Sequence, residues 1–313
     1  MIEILNGGVL SSIQDRGRYG YRQYGVPISG AMDGYALRVA NILVGNPEEA
    51  AGVEVTFYGL KIRSTKDIWI AITGGNLSPQ VNGESVPMWS SVRLKKDNVL
   101  AFTRLKSGLR AYIAVQGGMD IPPLMNSRST MIKAAFGGTG GPLKSGDRLR
   151  IGENFLLEKT GVKTVPEKYV PEYKTQNELR VVLGPQFDYF AEETLGLFFD
   201  SEYAISPESD RQGYRLKGPE LKHIGSFNLI TEAVWPGAVQ VPGDGLPIIL
   251  LADAQTTGGY PKIASVISVD LDRIGQAKPS DKIRFQSVSL EEAQKLFWER
   301  ENHIREIKRV FWE

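Results

Sequence analysis

The chain has no cysteine among its 313 residues. Disulfides, thiolate metal sites and cysteine nucleophiles are therefore excluded together. Histidine is nearly as scarce: His223 and His303 are the two present, in unrelated contexts. His303 falls in a helical pattern without the paired arrangement that points to zinc, and no elbow motif supports a Ser-His-Asp mechanism. No metal is expected, and no residue is assigned a catalytic role. Long apolar runs are also missing. None approaches the ~20 residues of a membrane span, and Met1-Ile2-Glu3-Ile4-Leu5-Asn6-Gly7-Gly8 has neither the basic region nor the apolar core of a signal peptide. Charge of one sign is absent too. With 37 Lys and Arg against 36 Asp and Glu, the net charge is +1, which argues against nucleic acid or a membrane surface as partner. A cytoplasmic protein is the expectation.

What is present is a globular composition, 42% apolar and 23% charged, in a chain long enough for two domains. Short apolar runs broken by turns dominate. Ile68-Trp69-Ile70-Ala71-Ile72-Thr73 ends in Gly74-Gly75, and Arg110-Ala111-Tyr112-Ile113-Ala114-Val115 ends near Gly117-Gly118. Such spacing predicts a mainly β chain, a barrel or sandwich and not a βαβ array. The polar, proline-bearing residues 161–177 read as a linker between lobes at 1–160 and 178–313. Residues 11–27 read as a surface loop in which Asp15 pairs with a neighbouring arginine, and a helix is expected after Asp33. Another helix is expected over residues 189–199. Val266-Ile267-Ser268-Val269 and Lys282-Ile283-Arg284-Phe285 are expected to be closing strands. The chain then runs into an amphipathic helix, opened by a Ser289/Glu292 capping box and expected to pack on the second lobe. The run Gly137-Gly138-Thr139-Gly140-Gly141 lacks a Gly-Lys-Ser/Thr ending and a strand-to-helix context, so it is not a phosphate loop.

The densest polar stretch is residues 239–262. The apolar run Leu246-Pro247-Ile248-Ile249-Leu250-Leu251-Ala252 leads into Asp253-Ala254-Gln255-Thr256-Thr257-Gly258-Gly259-Tyr260-Pro261-Lys262. It reads either as a pocket wall or as a hairpin turning on its glycine pair. Arginines sit in two other turns, Ser127-Arg128-Ser129-Thr130 and Ser209-Asp210-Arg211-Gln212-Gly213-Tyr214. Arginines fixed in turns suit carboxylates, though an internal salt-bridge network is an equal reading.

These stretches, taken together, resemble the allophanate hydrolase subunit 2 family, also called the biotin-dependent carboxyltransferase family. The resemblance is carried by Gln14-Asp15-Arg16-Gly17-Arg18, by Gly25-Val26-Pro27 through Met32-Asp33, by Ala40-Asn41 with Leu43-Val44-Gly45-Asn46, and by Gly117-Gly118 with Ser127-Arg128-Ser129-Thr130. It continues through Gly184-Pro185-Gln186, Ser209-Asp210-Arg211, Gly213-Tyr214-Arg215-Leu216, Gln240-Val241-Pro242 and Thr256-Thr257-Gly258-Gly259-Tyr260-Pro261. Asn126 and Ser280 stand where the family usually has glycine, and Gln212 where methionine is common. The first departure is expected to tighten the loop around Arg128.

The resemblance implies cyclophilin-like β-barrels in two lobes, with a few short helices. It implies an enzymatic role as the C subunit of a 5-oxoprolinase, which opens the pyroglutamate lactam to glutamate. The partners would be the KipI-like B subunit of that complex, together with its A subunit. The resemblance leaves open a KipA-type antagonist of a sporulation-kinase inhibitor, and the carboxyltransferase component of a biotin-dependent urea or amide carboxylase. The chain has no biotin-carrier Met-Lys-Met and no ATP loop, so no cofactor is expected on this chain alone. ATP would be used by the complex, or carboxybiotin supplied by a partner. A small amide or lactam substrate makes Arg128, Asp210, Arg211, Tyr214, Gln240, Asp253, Thr257 and Tyr260 the candidate binding residues, converging on one cleft.

Overall fold

The computed structural model describes residues 1–152 and 161–312. The last residues of the expected 1–160 lobe, 153–160, and residue 313 lie outside the described residues. The chain forms two compact units, each assembled from separated segments. The first comprises Met1–Arg18, Ser29–Tyr173 and Glu301–Glu313, the second Tyr19–Ile28 and Lys174–Arg300. The expected linker at 161–177 therefore lies mostly inside the first unit. Val165 and Tyr169 are buried in its core, and Thr164 bridges to Ser90.

In the first unit the chain runs through β1 (Ile2–Gly7), β2 (Leu10–Gln14), α1 (Gly34–Leu43), β3 (Gly52–Thr56), β4 (Leu60–Ser64) and β5 (Ile68–Asn76). It continues through β6 (Pro79–Val81), β7 (Glu84–Ser85), β8 (Ser90–Leu94), β9 (Val99–Phe102), β10 (Ser107–Val115) and β11 (Arg148–Leu149). These build a six-stranded sheet, β11-β1-β4-β9-β6-β7, and a five-stranded sheet, β2-β3-β10-β5-β8. Alternation decides which face is covered: Leu60 and Ile62 of β4 turn inward while Lys61 and Arg63 face water. Ile4, Ile62 and Phe102 of one sheet meet Ile13, Val55 and Ile113 of the other in a shared core.

The second layer of core lies around α1. Asp33 caps this helix by accepting the Ala36 amide at 2.9 Å, and Gly45 follows it at φ 73°, the left-handed stop expected of a glycine. Every residue from Tyr35 to Leu43 is buried. The one cation among them, Arg38, is held by Glu48 and Glu301 at 2.8 and 2.6 Å.

The second unit contains β12 (Gln176–Leu183), α2 (Glu192–Asp200), β13 (Tyr203–Ile205), β14 (Gly213–Lys217), β15 (Glu232–Ala233), β16 (Ala238–Gln240) and β17 (Ile248–Leu250). It goes on with β18 (Thr257–Gly258), β19 (Lys262–Val266), α3 (Ser268–Ile274), β20 (Lys282–Ser287) and the start of α4 (Leu290–Trp312), whose residues from Glu301 on belong to the first unit. Seven strands close into a barrel in the order β12-β19-β16-β17-β14-β13-β20, and β15 with β18 forms a separate two-stranded ribbon. The barrel closes through the parallel pair β12–β20, Leu179 opposite Phe285. Thus one half is the expected barrel, and the other is a pair of sheets packed on a common core.

Three sequence expectations give way to other arrangements. Residues 11–14 are a buried strand and not a loop, because Gln14 gives its amide to the Ser12 hydroxyl and the Thr130 carbonyl, at 2.9 and 3.0 Å. Ser268-Val269 opens α3 and does not extend the closing strand, which ends at Val266. The apolar stripe of α4 is real but divided: residues 290–300 belong to the second unit, as expected, whereas its buried members Ile304 and Ile307 join the α1 cluster of the first. At its start Ser289 Oγ accepts the Glu292 amide at 3.2 Å, the N-cap half of the expected box.

Candidate functional site

Register sorts the expected site residues of the barrel before any side chain is considered. Tyr214 pairs with Ile249, which pairs with Val239, and all three turn to the barrel interior. Gln240 is one residue on from Val239 and pairs with Ile248 and Lys262, so it occupies the outer face. Tyr214 is therefore on the opposite side of the wall from Gln240. Its hydroxyl donates to the Ala277 carbonyl at 3.0 Å.

Arg211 and Asp253 come together as a closed pair. Nε and Nη2 of Arg211 donate to the two oxygens of Asp253 at 2.9 and 3.2 Å, and the Asp253 amide donates back to the Arg211 carbonyl at 2.9 Å. Both side chains are buried. This fork-to-fork pair fastens the turn before β14 to the segment after β17. Asp210 organises the same turn by accepting the Gln212 amide at 2.7 Å.

Gln240, Thr257 and Tyr260 gather elsewhere, where the β15–β18 ribbon covers the outer face of the barrel. Gln240 donates to the Tyr260 carbonyl at 3.4 Å. Gly258 of the ribbon lies so near that a Cβ there would come 2.7 Å from the Gln240 amide nitrogen. Beneath the ribbon Val234, Ala238, Leu250 and Ala254 form a small apolar cluster. Thr257 and Tyr260 remain exposed at the rim.

This ribbon also assembles residues that the sequence reading did not select. Lys262, opposite Gln240 in the wall, is fully buried and its ammonium donates to Oε1 of Glu232 on β15. Gln186 donates to the same oxygen at 2.7 Å, and its own carbonyl oxygen accepts the Lys262 backbone amide at 3.2 Å. The Trp235 ring centroid lies 5.9 Å from the Lys262 ammonium. At the far end of the ribbon Arg22 donates to the carbonyl of Val234, and to those of Thr256 and Gln255 at 3.4 and 3.5 Å. Burial lowers the Arg22 pKa from its ordinary value. A lysine inside a strand pattern was the available signal for this cluster. Its carboxylate partner is 30 residues away in sequence, out of reach of any local motif.

Arg128 belongs to the first unit. Its backbone amide donates to Asp15 at 2.5 Å and its Nε to the Ile121 carbonyl at 2.8 Å. Asp15 also accepts from Gly17 and from the Ser127 hydroxyl, each at 2.8 Å. The expected ion pair of Asp15 with an arginine guanidinium is thus replaced by hydrogen bonds that shape the Ser127-Arg128-Ser129-Thr130 loop. Arg18 is fully buried there, donating to the carbonyls of Leu124 and Ser129 at 3.1 and 2.8 Å. Asn126 and Ser280, the two departures from glycine, both sit in the left-handed region, at φ 61° and 73°.

No group of three or more His, Cys, Asp or Glu placed to hold a metal ion occurs among the described residues, nor does any helix long and apolar enough to cross a membrane. The ribbon site instead offers cationic and amide donors beside an indole, a set suited to carboxylates and amides.

Comparison with known proteins identifies the family of the chain. Residues 24–287 match the model of the carboxyltransferase domain, subdomain A and B. The chain is 38% identical to the C subunit of 5-oxoprolinase from Escherichia coli (strain K12), covering 100% of this chain and 98% of that protein. It is 35% identical to the C subunit of 5-oxoprolinase from Haemophilus influenzae, covering 99% and 98%. The crystal structure of Kluyveromyces lactis urea carboxylase superposes with a TM-score of 0.91 at 30% identity, over 98% of this chain but 29% of that one. The chain belongs to the carboxyltransferase-domain family.

Proposed function

We propose that the chain is the C subunit of an ATP-dependent 5-oxoprolinase, an enzyme component that acts in the cytoplasm with the KipI-like B subunit of the complex, together with its A subunit, to open the pyroglutamate lactam. The observation that carries this reading is end-to-end similarity, 38% identity over all of this chain and 98% of the E. coli protein. The ribbon site supports it chemically, since Lys262, Gln186 and Gln240 offer donors to the carboxylate and amide that such a substrate contains. ATP would be consumed by the assembled complex and not held by this chain alone. The test is co-expression with the candidate partner subunits followed by ATP-dependent release of glutamate from pyroglutamate. Equal glutamate release by the two partner subunits without this chain would sink the proposal.

The likeness to urea carboxylase favours a second reading, a carboxyltransferase component receiving carboxybiotin from a partner. Biotin-dependent carboxylation of an amide by the reconstituted assembly, with no glutamate from pyroglutamate, would select it.

A further inference from the structure

Under the ribbon a buried cation is held by a carboxylate that water reaches. We propose that Lys262, Gln186 and Trp235 form a receiving site for a small carboxylate-bearing ligand, and that Glu232 is an internal stand-in which the ligand's carboxylate displaces. The carboxylate site follows from the geometry; equating its ligand with pyroglutamate rests on the function proposed above.

The Lys262 side chain is 1% exposed and that of Glu232 43%. An ammonium taken so far out of water requires an anionic partner, and among the described residues that partner is Glu232. The carboxylate accepts from Lys262 and Gln186 but is carried by a slight element. Its strand is two residues long and pairs only as Glu232 with Gly258 and Ala233 with Thr257. A rotation of its side chain returns it to water, while Lys262 cannot follow.

The donors stay in place when it leaves. Gln186 is oriented by the bond from the Lys262 backbone amide to its carbonyl oxygen. Its Nε2 and the Lys262 ammonium both point at the position of Glu232 Oε1. That position is a preformed point for one oxygen of a carboxylate. Beside it the Trp235 indole, fixed by donation to Ser265 Oγ at 2.9 Å, gives a flat partly exposed wall for a compact ring or planar amide. The site therefore suits a small carboxylic acid with a flat body.

The experiment is calorimetric titration of the full chain assembled with its partner subunits, without ATP. The probes are L-pyroglutamate, its neutral carboxamide and acetate. Replacing Glu232 with glutamine removes the charge that competes with the ligand, so Glu232→Gln should tighten L-pyroglutamate and acetate roughly tenfold and leave the carboxamide unchanged. Lys262→Met should weaken both acids at least roughly tenfold, with Lys262→Arg retaining part of the binding if the methionine variant melts early. A merely structural pair predicts otherwise: Glu232→Gln would leave acid binding unchanged or weaken it, and that result overturns the proposal. Acetate binding that responds to both variants without any binding of L-pyroglutamate keeps the anion site and removes pyroglutamate as its ligand. Turnover of pyroglutamate with affinities indifferent to both variants keeps the function and removes this site. Failure of every acid to bind removes it as well.

Discussion

Arg211 and Lys262 are both buried cations of the second unit, but their carboxylates are placed differently. Asp253 is as deeply enclosed as Arg211 and meets it with two hydrogen bonds, whereas Glu232 reaches water from a two-residue strand. A pair closed at both ends loses more when broken than it gives when formed, because the survivor keeps an uncompensated charge in a low-dielectric setting. A pair open at one end can exchange its anion. The candidate residues read from sequence include both members of the closed pair but, at the ribbon, only Gln240, Thr257 and Tyr260, not the open pair of Lys262 and Glu232.

The strongest test of this contrast is to remove one end of the closed pair. Arg211→Met should cost about 3–5 kcal/mol in urea unfolding, and Arg211→Met/Asp253→Leu should recover most of it. A loss below ~1 kcal/mol would erase the difference between the pairs. The barrel interior provides the next effect. Burial pushes the Tyr203 phenol, packed near Phe198 and Phe285, from its ordinary 10.0 up to about 12. Between those values the unfolded chain gives up this proton first, so stability falls as pH rises, by about 1.4 kcal/mol per unit, and below pH ~10 the phenol contributes no slope. Tyr203→Phe should flatten that alkaline limb in melts followed from pH ~9 to ~12. An unchanged limb would mean that the phenol ionises as readily folded as unfolded.

The open pair should show the smaller loss. Glu232→Gln is expected to cost about 1–3 kcal/mol by urea unfolding, less than Arg211→Met because water reaches the position of the lost charge, although Lys262 itself stays buried. A cost like that of Arg211→Met would make the two pairs equivalent. Smallest, and of opposite sign, is Ser280→Gly. Relief of the left-handed backbone outweighs glycine's extra unfolded-state entropy by about 0.5 kcal/mol, read as a rise in melting temperature.

What the sequence disclosed follows from the range of its signals. Alternation in β4 and the caps of α1 and α4 are written within a few residues, so the β-rich class, the capped helix and the terminal helix were legible. The stripe of α4 announced an apolar face but could not name the surface that Ile304 and Ile307 would meet. The strand β2 was hidden because Ser11, Ser12 and Gln14 look like loop residues; only the fold places a hydroxyl and a carbonyl beside the buried Gln14 amide. Ile267 continued a β-branched run that gave no hint of a helix starting at Ser268. In the site, Gln240 and Tyr260 were legible because they share one segment. Glu232 with Lys262 was not, nor was Arg22 with Val234, separated by 212 residues.

The Trp312 indole donates to the carbonyl of Ile42 across 270 residues of chain, and its ring occupies the space where a side chain on Gly45 would stand. During synthesis, α1 therefore leaves the ribosome long before its cover exists. The first unit has to wait with an apolar helix only partly sheltered while the whole barrel is translated, which makes this interval the one in which a chaperone would find most to hold.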